Sequence, residues 1–248
     1  MTRTATRVAA LYDVHGNVAA LDAVLQDVHS EEVDLIVFGG DLAWGPFPRA
    51  AVERVMDPGL PALYVRGNAD RSVGGSAEAE EDWVLEVTRW CSAQLDPRHK
   101  EFLLGQSPSA TVAVEGLGEV FFCHGSPRSD EESLTILTPD DRLTAAVASV
   151  SAEVVVCGHT HMQFDRAIGG TRVVNAGSVG MPYEGAPGAY WALIGDTISL
   201  RRTSFDYEAA AQAVAASGCP YAEDFAKDVP APPEPEAIAR QFEGLPAE

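Results

Sequence analysis

Five short polar motifs contain histidine, aspartate and asparagine side chains that could bind a metal, and each motif follows an apolar run of the sequence. They are residues 13–17 (DVHGN), 39–41 (GGD), 67–70 (GNAD), 124–125 (HG) and 158–161 (GHTH). Four of the six histidines of the chain lie in them. Imidazole mixed with carboxylate suits manganese, iron, zinc or nickel better than calcium, and the shortage of thiolates argues against a structural zinc site. The motifs therefore predict a site for transition-metal ions.

A binuclear site is the simplest interpretation of so many ligands. One carboxylate would bridge two ions about 3.5–4 Å apart, so that a hydroxide between them could attack phosphorus in line. With only two ligand carboxylates, such a cage would keep a net positive charge and attract a phosphoryl group. A single motif of this kind would mean little, because histidines near strand ends are often hydrogen-bonded loop residues. The set of five favours metal binding.

The elements around the motifs are typical of an α/β fold, because short β-branched runs alternate with amphipathic, alanine-rich stretches. The pattern predicts strands at RVAALYD, DLIVFGGD and ALYVRGN, with helices over about residues 17–29 and near residues 50–56 between them. In an open α/β sheet, the loops beyond the carboxyl ends of the strands converge on one crevice. Motifs that are distant in sequence are therefore expected to meet there.

Further elements follow in the second half of the chain. Residues 78–104 have helical spacing with a break at Pro97, and later strands are predicted at TVAVEG, EVFFC and EVVVC, with a helix over residues 140–150. Four shorter strands come next, and Gly195-Asp196 is a plausible hairpin connection. The tail has an alanine-rich helix closed by Gly218 and then a proline-rich acidic segment, residues 228–236. We expect that segment to be an extended tether for a short final helix, without a catalytic role.

Length and charge restrict the class of protein. A chain of 248 residues is expected to form one domain, and no apolar run approaches the roughly 20 residues of a membrane span. The formal net charge is −20, from 37 acidic and 17 basic residues. A field of that sign repels polyanions, so long nucleic acid and anionic membranes are poor candidate partners.

The four cysteines are widely spaced and form no C-x-x-C pair. This pattern is typical of a reducing compartment, and we expect the protein to be cytoplasmic. Cys123 and Cys157 stand near the histidine motifs, but each ends an apolar run. We favour buried strand residues over metal ligands for both of them.

The order D-x-H-G-N, G-D, G-N-x-D, H-G-S-P, G-H-T-H and N-A-G-S-V-G resembles the calcineurin-like metallophosphoesterases, in particular their small bacterial and archaeal phosphodiesterase branch, over about residues 7–200. The resemblance implies a four-layer α/β/β/α fold, a two-sheet β-sandwich flanked by helices, over residues 1–205. Residues 206–248 would then form C-terminal helices and a proline-rich acidic extension of the same domain.

The same resemblance implies a role for each ligand. The first metal would be held by Asp13, His15 and His161, the second by Asn68, His124 and His159, and Asp41 would bridge them. Asp41, Asn68 and His124 are the residues expected to carry catalysis. Residues 175–180 (NAGSVG) are expected to form a tight turn lining the cavity.

Two positions depart from the protein-phosphatase members of the family. Those members have a histidine directly after the asparagine and an aspartate three residues after the bridging aspartate, and the pair protonates the leaving group. Here the two positions are Ala69 and Trp44. Without that acid, diesters and pyrophosphate-like bonds with acidic leaving groups are the better candidate substrates.

Four further side chains are considered as possible contacts to the substrate. Asn17 and Asn68 are candidates for contacting the phosphate, although Asn17 is favoured as the N-cap of the first helix. Arg128 is either a phosphate clamp or an exposed loop arginine. Trp44 is either a platform for an aromatic group or, as we favour, a half-buried residue that covers the site.

The sequence thus predicts a metal-dependent phosphoesterase that hydrolyses small phosphodiesters, with monoesters or nucleotides as further candidates. Its cofactors would be two divalent ions, manganese first, with iron, zinc and nickel as alternatives. The alternative function is a catalytically weak interaction scaffold that keeps the metal site. A nuclease is disfavoured by the acidic charge.

Overall fold

The computed structural model describes residues 3–75 and 81–246, which form two β-sheets flanked by helices. The strands of the first sheet are β2 (Val8–Leu11), β3 (Leu35–Phe38), β4 (Ala62–Tyr64), β10 (Ala189–Ile194) and β11 (Ile198–Thr203). The strands of the second are β1 (Arg3–Ala5), β5 (Ser109–Val114), β6 (Gly118–Cys123), β7 (Val154–Cys157), β8 (Phe164–Ile168) and β9 (Thr171–Asn175).

The first sheet has the strand order β11-β10-β2-β3-β4. Its β2, β3 and β4 are parallel, whereas β10 runs antiparallel to β2 and forms a hairpin with β11. Helices α1 (Val18–Ser30) and α2 (Pro48–Met56) are the crossovers between the parallel strands. Since parallel strands end at one edge of a sheet, the DVHGN motif after β2 and the GGD motif after β3 lie side by side.

The second sheet has the order β1-β5-β6-β7-β9-β8, in which β6, β7 and β9 are parallel. The HG motif follows β6, the GHTH motif follows β7, and the NAGSVG turn follows β9. The backbone N–H of Gly158 donates to the carbonyl of His124 over 2.8 Å. The motifs of this sheet therefore also collect at one edge.

Successive side chains of a strand belong to different apolar clusters, which explains how the sheets and helices form layers. In β2, Val8 and Ala10 belong to the apolar cluster between the two sheets, whereas Ala9 and Leu11 belong to the cluster between the first sheet and its helices. Successive strand side chains point to opposite faces, so a fully buried strand carries apolar residues on both. A third cluster fills the space between the second sheet and helix α6 (Asp140–Val147). The predicted α/β/β/α sandwich is confirmed.

The start of α1 and the break before α5 agree with the capping and proline signals in the sequence. The side chain of Asn17 caps α1 by accepting from the N–H of Ala20 over 3.1 Å. The long helical region is broken as predicted, into α4 (Asp82–Gln94) and α5 (Pro97–Leu104), and Pro97 stands in the first turn of α5, where its missing N–H costs nothing. The part of this prediction that covers residues 76–80 lies outside the described residues. Within the described ranges, no helix is both long and apolar enough to cross a membrane.

Three short elements were not predicted: β1, α3 (Asn68–Gly74) and α8 (Ala222–Asp228). Strand β1 has three residues and is defined by its parallel pairing with β5, which no local pattern reveals. Helix α3 begins inside the GNAD motif, whose polar residues indicate a loop when read alone. A partner distant in sequence thus decides the structure of β1.

The tail lies against the domain, and hydrogen bonds hold both its proline-rich segment and the end of its last helix. Besides α8 it contains α7 (Tyr207–Ala215) and α9 (Pro235–Phe242). The N–H of Gly185 donates to the carbonyl of Pro233 over 2.9 Å, which fixes the proline-rich segment. The carboxylate of Glu243, directly after α9, is buried and accepts hydrogen bonds from three side chains, those of Thr135, Thr138 and Arg142.

Candidate metal centre

The seven predicted metal ligands meet at the edge of the sandwich where the strands end. The structure brings together two groups in which the ligand atoms all lie within 4.8 Å of one another. One group is Asp13, His15 and His161, and the other is Asp41, His124 and His159. Asn68 joins the second group, because its Oδ1 lies 3.0 Å from Nε2 of His124.

Five of these ligands have left-handed backbone conformations, with φ between 45° and 66°: Asp13, His15, Asp41, His159 and His161. For residues other than glycine, each such conformation costs roughly 1–3 kcal/mol and persists only where the surroundings enforce it. Here hydrogen bonds between motifs do so. Asp13 N–H donates to the Gly40 carbonyl over 3.0 Å, His15 N–H to the Asp41 carbonyl over 2.9 Å, and His159 N–H to Asp13 Oδ2 over 2.9 Å.

His15 and His161 present two lone pairs to the same point. Nδ1 of His15 lies 2.9 Å from the Trp44 carbonyl, and Nδ1 of His161 lies 2.7 Å from the Met181 carbonyl. A carbonyl only accepts, so the proton of each neutral ring belongs on Nδ1. The two Nε2 atoms, 3.0 Å apart, are then both acceptors. A cation held between the two atoms would satisfy both lone pairs.

A buried carboxylate oxygen supports the same conclusion. Oδ1 of Asp13 has no solvent exposure and no hydrogen-bond donor among the described residues. It lies 3.5 Å from Nε2 of His161 and 3.8 Å from Nε2 of His15. An unpaired buried carboxylate oxygen is costly unless it coordinates a cation. The donor set of oxygen and imidazole therefore fits a divalent transition-metal ion.

The second group is arranged in the same way around His124. Its Nδ1 lies 2.9 Å from the Gly39 carbonyl, so its Nε2 is directed at Asn68 and at Oδ2 of Asp41, which is 3.3 Å away. The same Asp41 oxygen lies 3.9 Å from Nε2 of His15, in the first group. Asp41 therefore reaches both groups, and so does Asp13, whose Oδ1 lies 3.9 Å from Nε2 of His124.

The histidines of the cluster differ in pKa because burial and neighbouring charges act on them differently. Burial, together with repulsion by His161, lowers the pKa of His15 to about 4, and burial with repulsion by His124 lowers that of His159 to about 4. Burial also disfavours charge on His124, but the Asp41 carboxylate outweighs burial and raises the pKa of His124 to about 10. His15 and His159 are thus neutral at pH 7, whereas the Asp41 carboxylate holds His124 in its charged form.

Asp70 is a part of the site that the sequence did not single out as functional. It is fully buried, and its carboxylate accepts from the N–H of Leu42 over 2.8 Å and from the N–H of Gly67 over 3.3 Å. It therefore joins the loop that carries Asp41 to the loop that carries Asn68. Burial and the nearby Asp41 carboxylate raise its pKa to about 7. Its position as the fourth residue of the GNAD motif is the one sequence feature that could have indicated a role in the site.

Position 67 must be glycine because the loop that carries Asn68 passes very close to the loop that carries Asp41. A Cβ at this position would lie 2.1 Å from Oδ1 of Asp41. That oxygen accepts from the N–H of Ala69 over 2.8 Å, so it is not free to move. The NAGSVG turn also braces the site, because the hydroxyl of Ser178 donates to the Asp13 carbonyl over 2.7 Å.

A cleft of about 510 Å³ opens onto both groups. Tyr183 stacks on His161 with ring centroids 4.8 Å apart, and Phe242 lies 6.2 Å from His159 between centroids. Trp44 packs edge-on against His15 at 5.6 Å. Further wall residues are Ala69, Ser72, Val84, Thr88 and Glu131. The sequence predicted no functional role for the tail, yet its Phe242 forms part of this wall.

The remaining predicted contacts have mixed outcomes. Asn17 uses its amide as the cap of α1 and as a donor to the Gly180 carbonyl over 3.0 Å, which favours the structural role. Arg128 is not among the cleft residues, and its guanidinium pairs with Glu132, so the structure does not bring it to the site.

Trp44 is 7% exposed and donates from Nε1 to Thr88, as expected for a covering residue. Cys123 and Cys157 are buried strand residues outside both ligand groups.

A two-sheet sandwich flanked by helices, with histidine and aspartate groups at its strand ends, is the fold of the metallophosphoesterases. A sequence profile described as the calcineurin-like phosphoesterase superfamily domain matches residues 7–197. The chain belongs to this superfamily.

Two structures and one further protein sequence that are similar to this chain come from archaea and bacteria. The structure of a hypothetical protein from Pyrococcus horikoshii has a TM-score of 0.80 at 20% identity, covering 92% of this chain and 99% of that one. A metallophosphoesterase from Sphaerobacter thermophilus has a TM-score of 0.74 at 24% identity, covering 91% and 98%. An uncharacterized protein of Methanocaldococcus jannaschii is 24% identical over 236 residues, 86% of this chain and 93% of that protein. The two structures establish the fold that the chain shares with them.

Proposed function

We propose that this chain hydrolyses small phosphodiesters with two divalent metal ions, manganese foremost. The first ion would be held by Asp13, His15 and His161, and the second by Asn68, His124 and His159. Asp41 would contribute to both. When bound, such ions act as Lewis acids toward phosphoryl oxygens and lower the pKa of water enough for it to act as a nucleophile near neutral pH.

The main support for the proposal is a group of hydrogen-bond acceptors that face one another with no donor between them. Nε2 of His15 and Nε2 of His161 face each other at 3.0 Å, and the buried Oδ1 of Asp13 lies beside them without a hydrogen-bond partner. Water or a proton could relieve one of these contacts but not the whole set. Superfamily membership adds the reaction class, phosphoester hydrolysis.

Asn68 has a second role that its geometry permits. Its Oδ1 is directed at His124, which leaves the two N–H donors of the amide for another partner. Asn68 lines the cleft, so a phosphate oxygen of a bound substrate is the natural acceptor. The side chain would then hold the substrate beside the second ligand group.

The cleft offers no group suited to protonate a leaving alkoxide among the residues that the structure describes. Ala69 and Trp44 occupy the two positions of the acid pair found in protein phosphatases. Burial raises the pKa of Tyr183 to about 12, and the hydroxyls of Ser72 and Thr88 already donate to backbone carbonyls. A leaving group that departs as a stable anion does not need an acid. This favours aryl and other acidic diesters as substrates.

The proposal is tested with metal-stripped protein that is reloaded with Mn²⁺ and assayed on p-nitrophenyl phenyl phosphate. Asp41→Asn and His124→Ala should each lower kcat/KM by at least about 100-fold, because the first removes the negative charge of the proposed shared ligand and the second removes a ligand altogether. Asp165→Asn and His29→Ala make the same chemical changes away from the site and should leave activity unchanged. Full activity in both ligand variants would refute the proposal.

The scaffold alternative predicts a different result from the same preparation. Elemental analysis would find two ions per chain, but diesters, monoesters and nucleotides would all remain uncleaved with each of Mn²⁺, Zn²⁺, Fe²⁺ and Ni²⁺. Turnover that depends on Asp41 and His124 would exclude that alternative.

A further inference from the structure

We propose that Phe242 is a specificity-determining residue, against which a flat, uncharged ester group of the substrate lies while the phosphate is held at the metal centre. The inference deepens the proposed function and rests on it for the position of the phosphate. The observations that carry it are the position of Phe242, the way the tail is held, and the charges of the cleft.

Phe242 is the last residue of α9, and the tail carries it to the cleft. Its ring is tilted by 50° against that of His159, with the centroids 6.2 Å apart. The residue remains 37% exposed although it lines a cleft with other apolar residues. A large apolar ring left open beside metal ligands is a surface that a ligand would cover. It lies beyond residues 7–197, which the superfamily profile matches.

The ring is held in place by the residue that follows it. The side chain of Glu243 is 5% exposed, and its Oε1 accepts from Thr135 over 2.8 Å and from Thr138 over 2.6 Å, while Oε2 pairs with Arg142. A buried carboxylate with this many donors is costly to release. Glu243 therefore fixes the end of α9, and with it the position of Phe242 in the wall.

The other wall residues match an uncharged, flat group. Trp44, Ala69, Val84 and Tyr183 contribute apolar or aromatic surface to the same cleft. An aromatic ring placed against such surface gains contact area and favourable ring geometry, and neither depends on charge. A methyl group would gain less, because it offers less contact area and no ring.

The charges of the cleft disfavour a second phosphate. Apart from the ligands, the charged side chain among its described lining residues is Glu131, and none of those residues is lysine or arginine. The nearby Arg71 is held by Asp130 and Glu131, at 3.1 Å and 2.7 Å. A polyphosphate would thus meet a carboxylate where it needs a cation. A single phosphate with an uncharged substituent fits the cleft better.

The test compares two diesters with the same leaving group and the same charge, p-nitrophenyl phenyl phosphate and p-nitrophenyl methyl phosphate, in the Mn²⁺-loaded full chain. Wild-type protein should prefer the phenyl ester. Phe242→Ala should lower kcat/KM for the phenyl ester by about tenfold, as expected for the loss of one aromatic contact, and change the methyl ester by less than about twofold. Phe242→Leu should give an intermediate ratio.

Leu245→Ala is the matched control, since Leu245 is another exposed apolar residue of the tail, 46% exposed and outside the cleft wall. It should keep the wild-type ratio. Each variant must bind the same number of Mn²⁺ ions and melt at the wild-type temperature. An unchanged phenyl-to-methyl ratio in Phe242→Ala, relative to wild type and the control, would overturn the inference.

A binding measurement separates this inference from the proposed function. At a pH well above their second pKa, phenylphosphonate and methylphosphonate are both dianions, and neither is hydrolysed at phosphorus. Tighter binding of phenylphosphonate by wild type, lost in Phe242→Ala, would support the role of Phe242 even if no diester were cleaved. Equal affinity of the two phosphonates for wild type would overturn that role, whatever the catalytic activity.

Discussion

Nε2 of His15 and Nε2 of His161 lie 3.0 Å apart, and each ring directs its Nδ1 at a backbone carbonyl. Because both Nδ1 atoms carry the proton of the neutral ring, the facing atoms repel each other unless a cation lies between them. We therefore expect the stability of the folded protein to depend on metal.

Removal of metal should therefore destabilise the fold. An ion at a concentration of 100 times its Kd stabilises the folded state by about 2.7 kcal/mol, which for a chain of this size raises Tm by about 5–10 °C. Calorimetry of the Mn²⁺-loaded and chelator-treated protein measures the difference. In His161→Ala the difference should shrink, with about one ion lost per chain. An equal Tm with and without metal would contradict the prediction.

Asp70 should control metal affinity although it is not a ligand. Asp70→Ala removes the acceptor of two buried N–H groups, those of Leu42 and Gly67. An unsatisfied buried donor costs about 1–3 kcal/mol, and loss of a residue that orients ligands typically lowers metal affinity by about 10–100-fold. Urea unfolding and Mn²⁺ titration measure both effects. Asp165→Ala, an exposed aspartate paired with Arg172, should show neither loss of affinity nor more than about 1 kcal/mol of destabilisation.

Gly67→Ala should disrupt the second ligand group. The added Cβ would lie 2.1 Å from Oδ1 of Asp41 and 2.5 Å from its backbone nitrogen, so Asp41 would have to move. We expect a loss of at least about tenfold in Mn²⁺ affinity, with a comparable fall in diesterase activity. At Gly195 a Cβ would meet nothing closer than 3.5 Å, so Gly195→Ala is the control and should bind Mn²⁺ as wild type does. Equal affinities in the two variants would show that Asp41 tolerates the displacement.

The ligands were predictable from sequence because strand ends and metal-binding residue types mark them locally. His124 follows β6 directly and His159 follows β7, so the pattern of apolar runs ending in histidine motifs gave their position. The identity of the two sheets came from resemblance to the family and not from periodicity, since buried strands such as β2 and β3 are apolar on both faces.

Asp70 and Phe242 were not predicted because their roles depend on packing. A buried aspartate in a polar motif looks like any loop residue until its donors, Leu42 and Gly67, are known. Phe242 lies more than 80 residues from His159 in sequence, and the acidic, proline-rich segment before it indicates a linker. Its position depends on Glu243 reaching the residues between β6 and α6, a contact that no local pattern encodes.

Loss of the Glu243 anchor should release α9 while leaving the metal centre intact. Glu243→Ala removes the acceptor for Thr135, Thr138 and Arg142. We expect faster proteolysis near the C-terminus and a lower phenyl-to-methyl ester ratio, with unchanged Mn²⁺ content. Limited proteolysis followed by mass spectrometry, together with the two-diester assay, measures these effects.

Glu236→Ala is the control for this variant, since it removes an exposed carboxylate from the same helix. Its cleavage rate and ester ratio should equal those of wild type. A Glu243→Ala protein with wild-type protease resistance would show that other contacts hold α9, including the hydrogen bond from Gly185 to Pro233.

The absence of the acid pair at Ala69 and Trp44 should appear in the dependence of rate on the leaving group. For a series of aryl methyl phosphates, kcat/KM should fall steeply as the pKa of the phenol rises, because negative charge develops on the leaving oxygen without a proton to neutralise it. Ala69→His restores the imidazole of the family pair beside Asn68 and should flatten the slope, with the largest gain for the least acidic phenols. Ala69→Gln, similar in size but without a titratable group, should keep the wild-type slope. A slope near zero in wild type would mean that another residue donates the proton.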